Sequence, residues 1–470
     1  MYTAVFDIGK TNKKFVVFDA SLRAVSVATR QFEPAADDDG DPCEDLEALT
    51  TWMRETLHDA QRQAGRNAIT RVNFSTYGAS LVHLGQADSA DGLAQPVAPL
   101  YDYLKEYPPG TLADFHARYG DREAFATQTA APVSGMLNSG LQLYWLKHDR
   151  PDVYRRIARS LHLPQYCSYV FCGHAHDEAT SLGCHTAMWD FHRMDYHRWL
   201  ADEGVDGLIP PIADTRARYP MVDGDRPRGL QRAADVGAIE VGAGVHDSSA
   251  ALVPYLMAHA DPFLFVSTGT WVVTMNPFSA DPLTPDELRR GGLCYLTPDR
   301  RPVKSARLFL GHEFEAQSAR IEAHFGVGEG FCASLAFDEA HLRVARTSGV
   351  AFRPTTDLAS GAAVGSAPWP PGAFKSAEVA CHALNDALVA LQLEAIAVAQ
   401  GSTRVRTVFV DGGFSQNMIF LKLLARALDP VEVRITDLAQ ASATGAALLV
   451  SAPPDREALS DLLATTVVAP

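Results

Sequence analysis

The stretch Tyr2-Thr3-Ala4-Val5-Phe6-Asp7-Ile8-Gly9-Lys10-Thr11-Asn12-Lys13-Lys14-Phe15-Val16-Val17-Phe18 decides how the chain is read. Tyr2 to Asp7 is mostly β-favouring and reads as a strand ending on an acid. Ile8 to Asn12 reads as a turn and Phe15 to Phe18 as a second strand. Ala24 to Phe32 supplies a third, so the chain opens on an antiparallel meander. Glycine at a hairpin tip lets backbone N–H groups approach a phosphate. Gly9 meets that need, Thr11 adds a hydroxyl, and Lys14 adds a positive charge. Asp7, at the strand end, suits a magnesium ion held through water. An ordinary hairpin with a polar turn fits the same residues. A P-loop does not, because it needs glycine where Ala4 stands and must open a helix rather than a strand.

A related arrangement recurs about half a chain later. Pro262 to Val266 reads as a strand, Ser267 to Thr270 as a turn, and Trp271 to Thr274 as a strand. Gly269 and Thr270 could hold terminal phosphates there. Val408 to Val410 is a strand, Asp411-Gly412-Gly413 a turn, and Asn417 to Leu428 a helix. Paired glycines Gly412 and Gly413 allow a flat ring to lie on backbone, with Asn417 hydrogen-bonding from the first helical turn. A turn without a ligand reads the same way. A strand at Val431 to Ile435 and a helix at Ala441 to Val450 follow. Val72 to Ser75 is a strand ending near Tyr77-Gly78, and Gly140 to His148 and Pro151 to Ser160 read as helices. Pro210-Pro211 and Asp223 to Arg228 mark loops, and the acidic run Asp37 to Asp41 a solvated one. The fold class predicted is α/β, with two domains, 1–243 and 244–470, meeting near Gly242-Ala243-Gly244.

Gly244-Val245-His246-Asp247 is no dinucleotide fingerprint, since Asp247 is not small. It reads as a glycine turn presenting Asp247 at a helix start. An N-cap is the commonest role for aspartate there. The functional alternative is a base that accepts a proton from a substrate hydroxyl.

Composition narrows the class. The chain has 470 residues, 47% hydrophobic and 21% charged, as in ordinary globular proteins. A length of roughly 150 residues per domain suggests at least two. The net charge of −15 disfavours nucleic acid and anionic membrane as partners. The uninterrupted apolar runs are far shorter than the roughly 20 residues of a membrane span, and no signal peptide opens the chain, so a cytoplasmic location is expected. Only 8 lysines accompany 33 arginines, and Lys10, Lys13 and Lys14 cluster in a way that could receive a small anion. Seven cysteines, an odd number, argue against a disulfide framework. Cys167, Cys172, His174, His176, Cys184 and His185 crowd together, but without the paired spacing of a zinc site.

Asp7-x-Gly9-x-Thr11-x-x-Lys14, Gly244-x-His246-Asp247, Ser267-Thr268-Gly269-Thr270-Trp271 and Asp411-Gly412-Gly413-x-x-x-Asn417 occur in one order. Together they resemble the FGGY carbohydrate kinases of the actin/hexokinase/Hsp70-like superfamily, over nearly the whole chain. The resemblance implies two RNase-H-like domains around a central cleft, with ATP and Mg2+ as cofactors and a small sugar as substrate. It implies Asp247 as general base and Asp7 at the magnesium–phosphate site. Thr11, Lys14, Gly269 and Thr270 would serve the phosphates, and Gly413 and Asn417 the adenosine. Within the family the chain is most similar to the rhamnulokinase and fuculokinase branch, which implies sugar contacts at Tyr77, Gly78, Asn138 and His246. Ser80 stands where that branch has an acid, and Lys10 where a threonine is usual. Other ketose or polyol kinases (ribulose, xylulose, glycerol) and a nucleotide-gated interaction protein are the alternatives. A homodimer is the assembly to test.

Overall fold

The computed structural model describes residues 1–64, 69–87, 92–222, 239–364, 369–436, 438, 440–452 and 454–470. The loop expected at Asp223 to Arg228 lies outside them. The chain forms two compact units. The first comprises Met1–Ala258, Tyr295–Arg301 and Gln440–Leu462, and the second His259–Cys294, Pro302–Ala439 and Leu463–Pro470. The first unit therefore runs past residue 243. The helix Asp247–Ala258 stays with it because it packs on the helix Ala441–Val450. A Cβ on Gly445 would come within 1.8 Å of the Ala250 carbonyl oxygen, so only glycine permits this approach.

In the first unit the strand Tyr2–Ile8 lies at the centre of a seven-stranded sheet. Lys13–Phe18 pairs with it antiparallel and Ile69–Thr76 parallel. Ala24–Arg30 continues the meander, while Glu240–Gly242 and Val245–His246 run parallel beside Ile69–Thr76. Both sheet faces are covered, which explains the nearly unbroken apolar run at the N-terminus. On one face the rings of Phe6, Phe74 and Phe171 stack, with Trp52 edge-on to Phe6. Asn73 points the other way, as strand alternation requires, and donates to the Ala446 carbonyl at 2.7 Å.

The second unit repeats the plan. Phe263–Thr268, Val272–Asn276 and Pro302–Leu308 form the antiparallel meander, and Thr407–Gly412 and Glu432–Ile435 add parallel strands. The helix Ala377–Gln400 packs on this sheet and buries Leu384, Leu388 and Ile396. By length and composition it is apolar enough to cross a membrane, although Glu378, His382, Asp386 and Glu394 break its apolar run. Cys332 and Cys381 form a disulfide, against the reading of the cysteine count.

Cys167 and Cys172 lie buried in the helix Leu163–Cys172. Two local expectations change. Ser160 belongs to the strand Arg159–His162, paired with Leu81–Leu84, since the helix from Pro151 ends at Tyr154. The acidic run is not simply solvated: Asp37 is buried, and the Lys105 ammonium reaches Asp37, Asp39 and Asp41 at 2.5, 2.7 and 2.9 Å.

Candidate active site

Asp7 stands near the carboxyl end of Tyr2–Ile8, in register with Lys14 on one side and Ser75 on the other. Ser75 and Thr76 pair in turn with Val245 and His246. Three strands running the same way thus deliver Asp7, Thr76, His246 and Asp247 to one edge of the sheet, where open α/β sheets place their ligands. Burial raises the Asp7 pKa to about 6; the negative charge of Asp247 adds to the rise and Lys14 opposes it. Burial likewise raises Asp247 to about 6, although it accepts the Ser248 N–H at 2.6 Å. The Asp247 side chain keeps 32% of its surface exposed, so it is reachable and partly screened. A carboxyl poised near neutrality and open to solvent fits a general base better than an ordinary cap.

His246 Nε2 lies 3.1 Å from Asp247 Oδ1 and 3.2 Å from Cys184 Sγ. Its Nδ1 faces the Ser249 hydroxyl at 3.3 Å, and that hydroxyl donates to the Leu296 carbonyl at 3.1 Å. Burial pushes the His246 pKa down to about 3 and keeps the ring neutral. Nε2 thus faces the Asp247 carboxyl on one side and the Cys184 thiol on the other. Gly78 closes this corner. A Cβ there would meet Cys184 Sγ at 2.4 Å and His246 Cδ2 at 2.9 Å.

In the second unit, the ends of Phe263–Thr268 and Thr407–Gly412 are paired, Thr268 opposite Gly412. Gly269, Thr270, Gly412 and Gly413 are all exposed at this edge. Gly412 has φ +91°, and a Cβ on it would come within 2.1 Å of the Thr268 carbonyl oxygen. Gly413 and Gly269 differ, since the nearest atom to a Cβ on either is 3.7 Å away. The turn is a backbone cradle with open space above it. The helix Leu310–Phe325 starts against it, with His312 N–H donating to the Thr270 carbonyl at 3.1 Å.

Comparison with known proteins shows the family and the fold. Residues 2–212 match the N-terminal domain of the FGGY family of carbohydrate kinases, and residues 260–458 match the carbohydrate kinase FGGY C-terminal domain. The chain belongs to the FGGY family of carbohydrate kinases. A rhamnulokinase from Halalkalibacterium halodurans is 21% identical over 196 residues, a match spanning 40% of each chain. A carbohydrate kinase from Novosphingobium aromaticivorans shares the fold with a TM-score of 0.76 at 22% identity, covering 99% of this chain and 96% of that one. A xylulose kinase from Lactobacillus acidophilus does so with a TM-score of 0.77 at 16% identity, covering 100% and 94%. The two-domain α/β fold is therefore that of sugar kinases.

Several residues of this FGGY kinase singled out from sequence are committed elsewhere. Asn138 donates to the carbonyls of Pro132 and His185, both at 3.0 Å, and accepts the Ser134 N–H at 3.0 Å. Its amide holds loops together and has no donor left for a sugar. Asn417 caps the helix Met418–Leu428 through the Phe420 N–H and donates to Asn385 at 2.8 Å. The Tyr77 hydroxyl donates to the buried Glu44 at 3.1 Å, and Lys10 sits over its ring at 5.5 Å. The lysine cluster is divided: Lys10 pairs with Asp102, Lys13 with Glu44, and Lys14 reaches Gln440. Gly9 makes a tight turn, its N–H donating to the Asn12 carbonyl at 2.9 Å, with Thr11 exposed beside it. Sequence reading missed Cys184 as a neighbour of His246, because no local signal in its Cys/His-rich stretch points to that contact. Among the described residues, Asp37, Asp39 and Asp41 gather ligand atoms closely, around the Lys105 ammonium.

Proposed function

We propose that this FGGY kinase transfers the γ-phosphoryl group of ATP to a terminal hydroxyl of a ketose, with Asp247 as general base. The observation that carries the reading is Asp247 itself: solvent-reachable, held at a strand end beside Asp7, and raised to a pKa of about 6. It would take the hydroxyl proton as the oxygen attacks, and phosphoryl transfer asks the protein mainly for positioning and charge stabilisation. Asp7 would hold Mg2+, and a carboxyl whose proton affinity is raised by burial and by the nearby Asp247 charge fits a divalent cation, which relieves that repulsion. Mg2+ supplies charge neutralisation on the phosphates. Gly9, Thr11 and Lys14 would contact phosphate, and Gly269, Thr270, Gly412 and Gly413 would receive the nucleotide. The open space above Gly413 supports this. Asn417 would act by fixing the helix behind the turn.

For the sugar, the partial match to a rhamnulokinase supports a deoxy-ketose of the L-rhamnulose or L-fuculose type, phosphorylated at the carbon-1 hydroxyl. Tyr77, Gly78 and His246 would shape the acceptor site. The test compares kcat/KM for rhamnulose, fuculose, ribulose, xylulose and glycerol by sugar-dependent ADP release. A preference of about tenfold or more for glycerol or xylulose rejects the branch and leaves the kinase reading intact. No ADP release with any sugar or polyol rejects the kinase reading.

A further inference from the structure

Beneath the Asp247 strand end lies a carboxyl group that the reaction itself does not use. Glu178 is 0% exposed. Its Oε2 accepts the Thr180 N–H at 2.9 Å, the Thr180 hydroxyl at 2.6 Å and the Ser181 N–H at 3.2 Å. Its Oε1 accepts from the Thr215 hydroxyl. No cation lies among these partners, and burial raises its pKa. A buried carboxyl without a countercharge is costly, even when well hydrogen-bonded. Three of its donors are local to the turn that opens the short helix Ala179–Leu182. The Thr180 hydroxyl does more. Having given its proton to Glu178, it accepts the His246 backbone N–H at 3.0 Å, across 66 residues of sequence. His246 is the last residue of the strand and the immediate predecessor of Asp247.

We propose that Glu178 and Thr180 are positioning residues for the Asp247 base: Glu178 orients the Thr180 hydroxyl, and that hydroxyl pins the His246 amide from which Asp247 projects. The pairing register with Thr76 ends at His246, so past this point the strand ladder does not hold the chain. The Thr180 acceptor supplies the constraint at the residue where the strand turns into helix. A hydroxyl free to rotate would turn its proton among several acceptors and keep its lone pair on the amide only part of the time. The Glu178 carboxyl removes that choice. Misplacing a catalytic group by about an ångström can cost on the order of 100-fold in rate, which is the reason to hold this amide with a buried acid.

The inference rests on the kinase reading for its catalytic consequence, but its structural link can be read without substrate. Thr180→Val keeps the side-chain volume and removes the acceptor, and Thr180→Ser restores it. The expected result is a fall of about tenfold or more in kcat for Thr180→Val, with sugar KM and calorimetric ATP affinity within threefold of wild type. Its acid limb in the kcat/KM pH profile shifts, and Thr180→Ser stays close to wild type. Hydrogen exchange of the segment carrying the His246 amide should accelerate in Thr180→Val and not in Thr180→Ser. Thr180→Ala replaces Thr180→Val if the latter does not fold. A folded Thr180→Val with turnover within twofold of wild type, or with unchanged exchange at that amide, overturns the proposal. A wild-type protein without sugar-dependent ADP release overturns the kinase reading, while the exchange measurement still decides whether Thr180 pins His246.

Discussion

The Nε2 atom of His246 faces the Oδ1 atom of Asp247 at 3.1 Å, on a ring that burial keeps neutral. The same burial raises the proton affinity of Asp247, and this has consequences for both activity and stability.

The first concerns pH. With Asp247 at about 6, activity should fall as pH drops through 6 and the base becomes protonated. The Asp7 and Asp247 pKa values lie above the ordinary 3.8, so between about 4 and 6 these two carboxyls bind more protons in the folded state than in the unfolded one. Their own contribution to stability is lost as pH rises through that window, while the buried neutral His246 and His83 act in the opposite sense. Asp247→Asn should lose turnover by a factor on the order of 10²–10⁴, bind ATP normally, and melt at or above the wild-type temperature at pH 7. Near-wild-type turnover would reduce Asp247 to a helix cap.

The paired glycines of the second unit should fail differently. Gly412→Ala forces a Cβ to 2.1 Å from the Thr268 oxygen at φ +91°. It should destabilise the fold by a few kcal/mol, seen as a lower denaturation midpoint. A Cβ on Gly413 finds its nearest neighbour, the Thr268 oxygen, at an ordinary 3.7 Å, so Gly413→Val should fold and lose ATP affinity while keeping sugar affinity. Calorimetry that finds unchanged ATP binding in folded Gly413→Val sinks the nucleotide assignment.

Gly78→Ala should act through its neighbours. The new methyl would strike Cys184 Sγ and the His246 ring, shifting the group beside the base. A drop in kcat is expected, with partial recovery in the double variant Gly78→Ala/Cys184→Ala, where the nearer obstacle is gone. Equal activity of single and double variants would show that Cys184 does not set this spacing.

Asn138→Ala tests a reassignment. Because backbone groups take both amide protons and one lone pair of Oδ1, the variant should lose on the order of 2–3 kcal/mol of stability and leave the sugar KM nearly unchanged. A large rise in KM with normal stability would return Asn138 to the sugar.

Much of the fold could be read from the chain alone. The meander from Tyr2, its echo at Pro262, the glycine turns and the helix from Asp247 are local patterns of apolar spacing and backbone freedom, and these need no knowledge of distant partners. The candidate base was legible for the same reason, since Gly244 and the helix start are adjacent to Asp247. Residue chemistry alone could not say where Asn138, Tyr77 or the lysines would direct their polar atoms. Asn138 suits a sugar hydroxyl in any loop, and only tertiary packing placed three backbone groups around it. Cys184 meets His246 across 62 residues, and Thr180 meets the same residue across 66. Such contacts depend on which strands become neighbours and where they end. A hydrogen bond forms over about 3 Å with a narrow angle, so the partner of a buried polar atom is decided when the chain is packed, not when it is spelled.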